Sequence, residues 1–169
     1  MFVSQTLGTI NEIIPVSFFK TCLDIDNENN NVNNIFQTLN NILEVIMPEI
    51  MKSDLIIIEK QLSFNKNMTI RVEQHTVSYI MGRLKGSGFY PRIIGVDPKL
   101  KTKMLYEGPG LNERAIKQWS VVKARELLTS RNDLKSLAIM DSKAYKRKQD
   151  DLADTVCQIE AFFKLMEWA

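Results

Sequence analysis

The sequence has few of the residues that build metal clusters and disulfide frameworks. It contains one histidine and two cysteines. Cys22 and Cys157 stand far apart, and neither belongs to a CxxC or Cys/His cluster, so we predict no zinc site and no disulfide. Isolated thiols of this kind fit a reducing intracellular compartment. His75 lies at the edge of an apolar helical stripe, and we predict that it is packed or solvated rather than catalytic.

Long apolar runs and a complete phosphate-binding loop are also missing. No apolar stretch approaches the roughly 20 residues that span a bilayer. The N-terminus lacks a basic segment followed by an apolar one, so we predict neither membrane insertion nor secretion. The GSG sequence at residues 86–88 lacks the rest of a phosphate-loop motif, which predicts a plain turn. We expect no small-molecule substrate.

The residues that are present predict a single α/β domain. With 169 residues, 44% of them apolar, the chain is large enough for one domain with a real core, residues 1–169. The β-branched run at residues 55–58 predicts a strand buried on both faces. Further strands are predicted at residues 2–6, 13–19, 20–26 and 92–96, and helices at 35–46, 68–84, 113–129 and 150–168.

These elements predict a mixed sheet of about five strands flanked by helices, with residues 55–58 in its interior. The last helix is expected to pack on one face of the sheet through an apolar stripe formed by Leu152, Val156, Ile159, Phe163 and Met166. We predict loops at residues 26–34 and 98–110, and a kink or stop at Pro48. Asn112 is expected to cap the helix at 113–129, which would bury Ala115, Trp119 and Val122.

Charge is distributed unevenly along the chain although the net charge is only +2. Residues 1–59 carry −6, residues 60–149 carry +12 and residues 150–169 carry −4. A basic middle beside acidic patches is typical of a surface that binds nucleic acid through cations and metal through acids. Solvated helix faces would give the same composition, and both interpretations stay open.

Four carboxylates are candidates for metal binding. Glu59 ends the buried strand, and Asp150, Asp151 and Asp154 open the last helix. At about 100° per residue, Asp151 and Asp154 lie about 60° apart on one rim of the apolar stripe. The helix macrodipole alone favours acids in a first turn. Together with Glu59, however, these carboxylates are what two hard divalent ions need for phosphodiester hydrolysis.

The motifs that carry these acids resemble a known family. The EKQ sequence at residues 59–61, the KQDDLAD sequence at 148–154 and the segment from the GPGLN sequence at 108–112 to Ala124 resemble the RuvC-like Holliday junction resolvases, in the versions found in poxviruses and other large DNA viruses. The resemblance covers most of residues 53–169. It implies an RNase H-like fold, a homodimer, and symmetrical nicking of four-way DNA junctions with Mg²⁺ or Mn²⁺ during DNA recombination and replication.

The resemblance also implies roles and a location. Glu59, Asp151 and Asp154 would hold metal, and Asp150 would support them. A viral member would act in the host cytoplasm. Basic and polar residues of the middle region are predicted to contact branched DNA: Lys60, Gln61, Arg71, Lys99, Lys101, Lys103, Lys146, Arg147 and Lys148.

One departure from the family is serious. The family places an aspartate before the Gly of a D-x-G-x-x-N pattern, and this chain has Thr6 there. A hydroxyl is a far weaker ligand for a hard cation than a carboxylate. Asp24 or Asp26 could substitute for it. The alternative is a catalytically inactive module that binds branched DNA or a protein partner, and action on RNA–DNA hybrids also stays open.

Overall fold

The computed structural model describes residues 2–4, 32–61, 67–143, 146 and 149–166, with the backbone alone described for residues 2–4 and 67. The chain divides into two compact units, Met1–Val96 and Asp97–Ala169. The single domain expected for residues 1–169 stays a prediction.

Among its described residues, the first unit contains a three-stranded sheet and two helices. The strands are β1 (Phe2–Ser4), β2 (Leu55–Glu59) and β3 (Arg92–Val96), and the helices are α1 (Val32–Ile50) and α2 (Asn67–Leu84). β2 is the central strand and lies antiparallel to β1 and parallel to β3. The predicted interior position of residues 55–58 is therefore confirmed.

The core of the first unit forms where the two helices meet one face of β2. Ile56 and Ile58 pack in one cluster with Met47, Ile50, Ile80 and Leu84 of the helices. Leu55 and Ile57, which alternate with them, are also buried. Burial on both faces explains why β2 is a continuous apolar run rather than an alternating one.

The predicted five-stranded RNase H-like sheet is wrong. Most of the described residues lie in helices, and the described strands form one sheet of three strands, of which only β2 and β3 are parallel. The predicted strands at residues 13–19 and 20–26 lie outside the described residues. The physical reason for the helical character is that the described chain after Val96 buries its apolar residues by packing helix against helix.

Two predicted loops are partly helical. α1 begins at Val32, inside the segment 26–34, whose earlier residues lie outside the described part of the chain. α3 (Leu100–Leu105) lies inside the predicted loop at 98–110, because Leu100 and Lys101 are buried in the second unit. Pro48 does not stop α1, which continues to Ile50.

The described helices of the second unit are α3, α4 (Glu113–Ser130), α5 (Leu134–Asp141) and α6 (Gln149–Leu165). α6 is its central element and packs against the other three helices. Leu152, Val156 and Ile159 of α6 are buried as predicted, whereas Met166 is 38% exposed. Packing of this helix on the sheet stays a prediction.

α4 begins at its predicted cap but presents a different face to the core. Asn112 Oδ1 accepts a hydrogen bond of 2.9 Å from the backbone N–H of Ala115, which confirms the N-cap. The buried residues are Ser120, Ala124 and Leu128, whereas Val122 is 57% exposed. Ser120 contributes to the packing of α4 on α6, since its carbonyl oxygen lies 3.6 Å from Cys157 Sγ.

No helix in the described ranges is long and apolar enough to cross a membrane.

Candidate functional site

The four predicted metal ligands belong to two different units. Glu59 lies in the first unit, and Asp150, Asp151 and Asp154 lie in the second. Their assembly into one site stays a prediction. Each half of the predicted site has its own geometry.

In the first unit, the residues around Glu59 are held by their neighbours. Glu59 is the half-buried last residue of β2 and lies opposite Val96 in the parallel register. The backbone N–H of Lys60 donates to Val96 O at 2.9 Å. The backbone N–H of Gln61 donates to Glu73 Oε2 at 2.6 Å, and Glu73 is on α2. The chain that follows Glu59 is thus bonded to both β3 and α2.

Lys60 lies across β3 at a glycine. A Cβ atom built on Gly95 would be 2.7 Å from Lys60 Cε and 3.1 Å from Lys60 Cγ. Glycine inside a strand often marks such a close approach. The aliphatic part of Lys60 therefore occupies the space that a side chain at residue 95 would take, while the residue as a whole is exposed.

In the second unit, lysines neutralise two of the three aspartates that open α6. Lys117 Nζ of α4 lies 3.4 Å from Asp150 Oδ2. Lys101 Nζ of α3 forms an ion pair with Asp154 Oδ2. Asp151 is half-buried, and its carbonyl oxygen accepts a hydrogen bond of 2.9 Å from Thr155 Oγ1.

The Lys101–Asp154 pair is the more buried of the two. The Lys101 side chain is 8% exposed and that of Asp154 is 32% exposed. Asp154 Oδ1 is buried and has no hydrogen-bond partner among the described residues. One carboxylate oxygen thus pairs with the ammonium group, and the other is enclosed by the protein.

Gln158 fixes α3, and therefore Lys101, against α6. Its side chain is almost fully buried. Oε1 accepts from the backbone N–H of Lys101 at 3.0 Å, and Nε2 donates to Asp97 O at 2.9 Å. Both ends of the amide are satisfied by the segment that leads into α3, so Gln158 sets the position from which Lys101 reaches Asp154.

The predicted DNA contacts differ in accessibility. Lys103 on α3 and Lys99, the residue before that helix, are exposed, and exposed positions are also occupied by Lys60, Arg71 and Lys146. Lys101 is buried and paired with Asp154, so its ammonium is not presented to a phosphate in this structure. The Arg71 guanidinium lies over the Phe36 ring, 5.7 Å from its centroid. Arg147, Lys148, Thr6, Asp24 and Asp26 lie outside the described residues.

Neither unit alone contains a complete metal-ligand set within its described part. Groups of three or more His, Cys, Asp or Glu side chains that could hold an ion are not found among these residues. In the second unit, Lys101 and Lys117 place positive charge beside the carboxylates of Asp154 and Asp150. In a metal site, the bound ion would supply this positive charge.

His75 contacts two side chains of α1. Its Nε2 is 2.7 Å from Asn40 Oδ1, and the ring stacks on Phe36 with a centroid distance of 4.5 Å.

Cys157 is a free, buried cysteine whose Sγ donates to Ser120 O at 3.6 Å. Burial, and then the nearby Asp154 charge, raise the pKa of the Cys157 thiol to about 12. This thiol is protonated and unreactive at neutral pH.

Sequence reasoning missed four residues that shape these two groups: Glu73, Gly95, Lys117 and Gln158. Only Gly95 carried a recognisable signal, since a glycine in a strand pattern indicates a close approach. The other three belong to amphipathic helices, where polar residues are ordinary, and only the tertiary contacts distinguish them.

Comparison of the chain with protein-family models, with curated proteins and with solved structures found no match. The resemblance to RuvC-like resolvases therefore rests on the sequence motifs alone.

Proposed function

We propose that the protein is a metal-dependent, structure-selective DNA endonuclease that acts as a homodimer on four-way (Holliday) junctions. The observation that carries this proposal is that exposed lysines stand close in the chain to Glu59 and to Lys101, the ion-pair partner of Asp154. Lys60 follows Glu59 directly, and Lys99 and Lys103 flank the lysine that pairs with Asp154. Cations beside acids allow a polyanionic backbone to approach carboxylates that would otherwise repel it.

In this proposal, one group of residues binds DNA and another holds the metal ion. The exposed lysines bind phosphates of the junction arms, and Glu59, Asp151 and Asp154 hold Mg²⁺ or Mn²⁺ with Asp150 in support. The ion supplies an activated water and charge stabilisation for phosphodiester hydrolysis. Lys101 holds the Asp154 carboxylate in place through their ion pair.

A second candidate is a catalytically inactive module that binds branched DNA or a protein partner. Two observations favour it. The ion pairs of Asp150 and Asp154 with lysines are what purely structural acids would make. The sequence also has Thr6 where the resolvase family has its first aspartate.

Incubation with a labelled four-way junction and Mg²⁺ or Mn²⁺ distinguishes the two candidates. The endonuclease proposal predicts paired nicks across the junction, no cleavage in EDTA, and loss of cleavage in Glu59→Gln and Asp154→Asn. Glu126→Gln is the matched control, since Glu126 is an exposed acid of α4. Clear junction binding without nicks in either ion would favour the inactive module. Cleavage of RNA–DNA hybrids alone would identify a different substrate.

A further inference from the structure

β3 is the edge strand of the described sheet, and part of its backbone points away from β2. Val96 O accepts from the Lys60 N–H at 2.9 Å, so the backbone of Val96 is directed toward β2. Residues of a parallel strand alternate in the side to which their backbone groups point, and Ile93 and Gly95 therefore direct theirs outward. Gly95 is exposed, so the outer edge is open to solvent at that residue. An open edge of this kind can pair with a further strand.

An apolar groove of about 500 Å³ lies beside this edge, between β3 and α2. Its volume is in the range of clefts that bind ligands. Two large side chains that line it are mostly exposed, Met81 at 61% and Tyr90 at 70%. Ile93 and Gly95 line it too, so the outward backbone groups and the apolar surface belong to one site. A strand added to this edge would place every second side chain on the groove side.

The exposed charges around the groove are mainly positive. Three exposed cations stand next to lining residues, in space or in the chain: Lys60, Lys85 and Arg92. Lys60 lies across Gly95, because a Cβ atom built there would be 2.7 Å from Lys60 Cε. Glu73 is the acid that lines the groove, and its Oε2 accepts from the Gln61 N–H at 2.6 Å. A second copy would bring the same three cations to the same edge, whereas an acidic partner complements them.

We propose that the groove and the outer edge of β3 bind an extended peptide segment of a partner protein, in which apolar and acidic residues alternate. The peptide backbone pairs with Ile93 and Gly95, and its apolar side chains enter the groove beside Met81 and Tyr90. Its acidic side chains point to the opposite face, where Arg92 lies, because Arg92 and Ile93 alternate along β3. Backbone bonds supply affinity in this mode, and the alternating side chains supply specificity. This binding site does not depend on the proposed endonuclease activity.

The test titrates the isotope-labelled full chain with the peptide acetyl-EVEVELE-amide and follows the backbone amide signals of Ile93 and Gly95 by NMR. Two control peptides separate charge from pattern: acetyl-KVKVKLK-amide reverses the charge, and acetyl-EEVVLEE-amide keeps the composition but gathers the apolar residues in one block. Met81→Glu places a like charge in the groove. Ser78→Glu is the matched control, since it adds the same charge at an exposed position of α2 that does not line the groove.

We expect the alternating acidic peptide to shift the signals of Ile93 and Gly95. Both control peptides should bind at least about tenfold more weakly, and Met81→Glu should weaken binding of the acidic peptide by at least about tenfold. Ser78→Glu should stay within about twofold of the parent, because exposed charges away from the contact are screened.

Three results would overturn the proposal. The first is the absence of shifts at Ile93 and Gly95 with up to about 1 mM of the acidic peptide. The second is equal binding of the lysine peptide, or equal binding to the parent and to Met81→Glu. The third is a parent dimer that Met81→Glu converts to a monomer in sedimentation equilibrium, because a second copy would then be the occupant of the groove.

Discussion

Lys101 is buried on α3 and forms an ion pair with Asp154 of α6. In sequence it is the middle of three alternating lysines that follow a strand, which suggests a row of phosphate contacts. In the structure, a helix turns the lysine inward, where it neutralises Asp154, while Lys99 and Lys103 remain exposed. The alternation was misleading because the segment is helical, with a period of 3.6 residues rather than two.

Removal of the Lys101 charge should destabilise the fold. Lys101→Met keeps much of the aliphatic length but leaves the Asp154 carboxylate without its cation. We expect the free energy of unfolding to fall by about 2 kcal/mol. This loss is smaller than for a fully buried ion pair, because the Asp154 side chain is partly exposed. Urea denaturation measures it, and Lys103→Met on the same helix should change stability by less than about 0.5 kcal/mol. Equal effects of the two substitutions would contradict the structural role of the pair.

Cys157 predicts a specific pH dependence. Its pKa in the folded protein is raised to about 12 by burial, whereas an unfolded thiol ionises near about 8.5. The unfolded chain therefore loses a proton that the folded chain keeps, and the free energy of unfolding falls as the pH rises between roughly these two values. Denaturation at pH 8 and pH 10 should show this fall in the parent and a smaller fall in Cys157→Ala. Identical slopes would show that the thiol does not contribute.

At the scale of elements, β2 was the part of the fold that sequence predicted best. Its β-branched run, its burial on both faces and its interior position are all present in the structure. α2 and the Asn112 cap of α4 were also predictable, because helix periodicity and capping are local signals. The sheet size and the core face of α4 were not, since both depend on which elements meet in the folded chain.

Parts of the candidate site could likewise be predicted from the sequence, and other parts could not. The acids were recognisable because they stand at the end of a strand and the start of a helix. The Lys101–Asp154 pair and the Gln61–Glu73 bond join residues that are 53 and 12 positions apart, respectively. No local pattern specifies contacts of that kind, and only the packing of α3 on α6 and of α2 beside β2 creates them.

The close approach of β3 to Lys60 can be tested by adding one methyl group. Gly95→Ala would place a Cβ 2.7 Å from Lys60 Cε, so the lysine side chain must move. We expect junction affinity to fall by up to about fivefold, the effect of one exposed charge, with little change in stability. Gly82→Ala is the control, because a Cβ there meets nothing within 4 Å and alanine favours the helix. Unchanged junction binding in Gly95→Ala would show that the position of Lys60 is irrelevant to DNA.

At the scale of the whole molecule, the charge distribution makes a prediction about DNA binding. Residues 60–149 carry +12 within a chain of net charge +2. Phosphate contacts release counterions, so junction affinity should fall steeply with salt concentration. Lys99→Glu and Lys103→Glu should weaken binding to all DNA sequences alike and reduce the salt dependence. Lys164→Glu, at the other end of α6, should have little effect, and sequence-selective losses would instead indicate contacts with base edges.

The proposed metal centre requires that Glu59 and Asp154 act on the same ion. A double-mutant cycle checks this requirement, with Glu59→Gln, Asp154→Asn and the combined variant compared with the parent for Mg²⁺-dependent junction cleavage. Ligands of one ion act as a unit, so the double variant should be no slower than the slower single variant. If the two losses multiply instead, or if neither substitution affects cleavage, the two carboxylates do not share a site and the proposed metal centre is wrong.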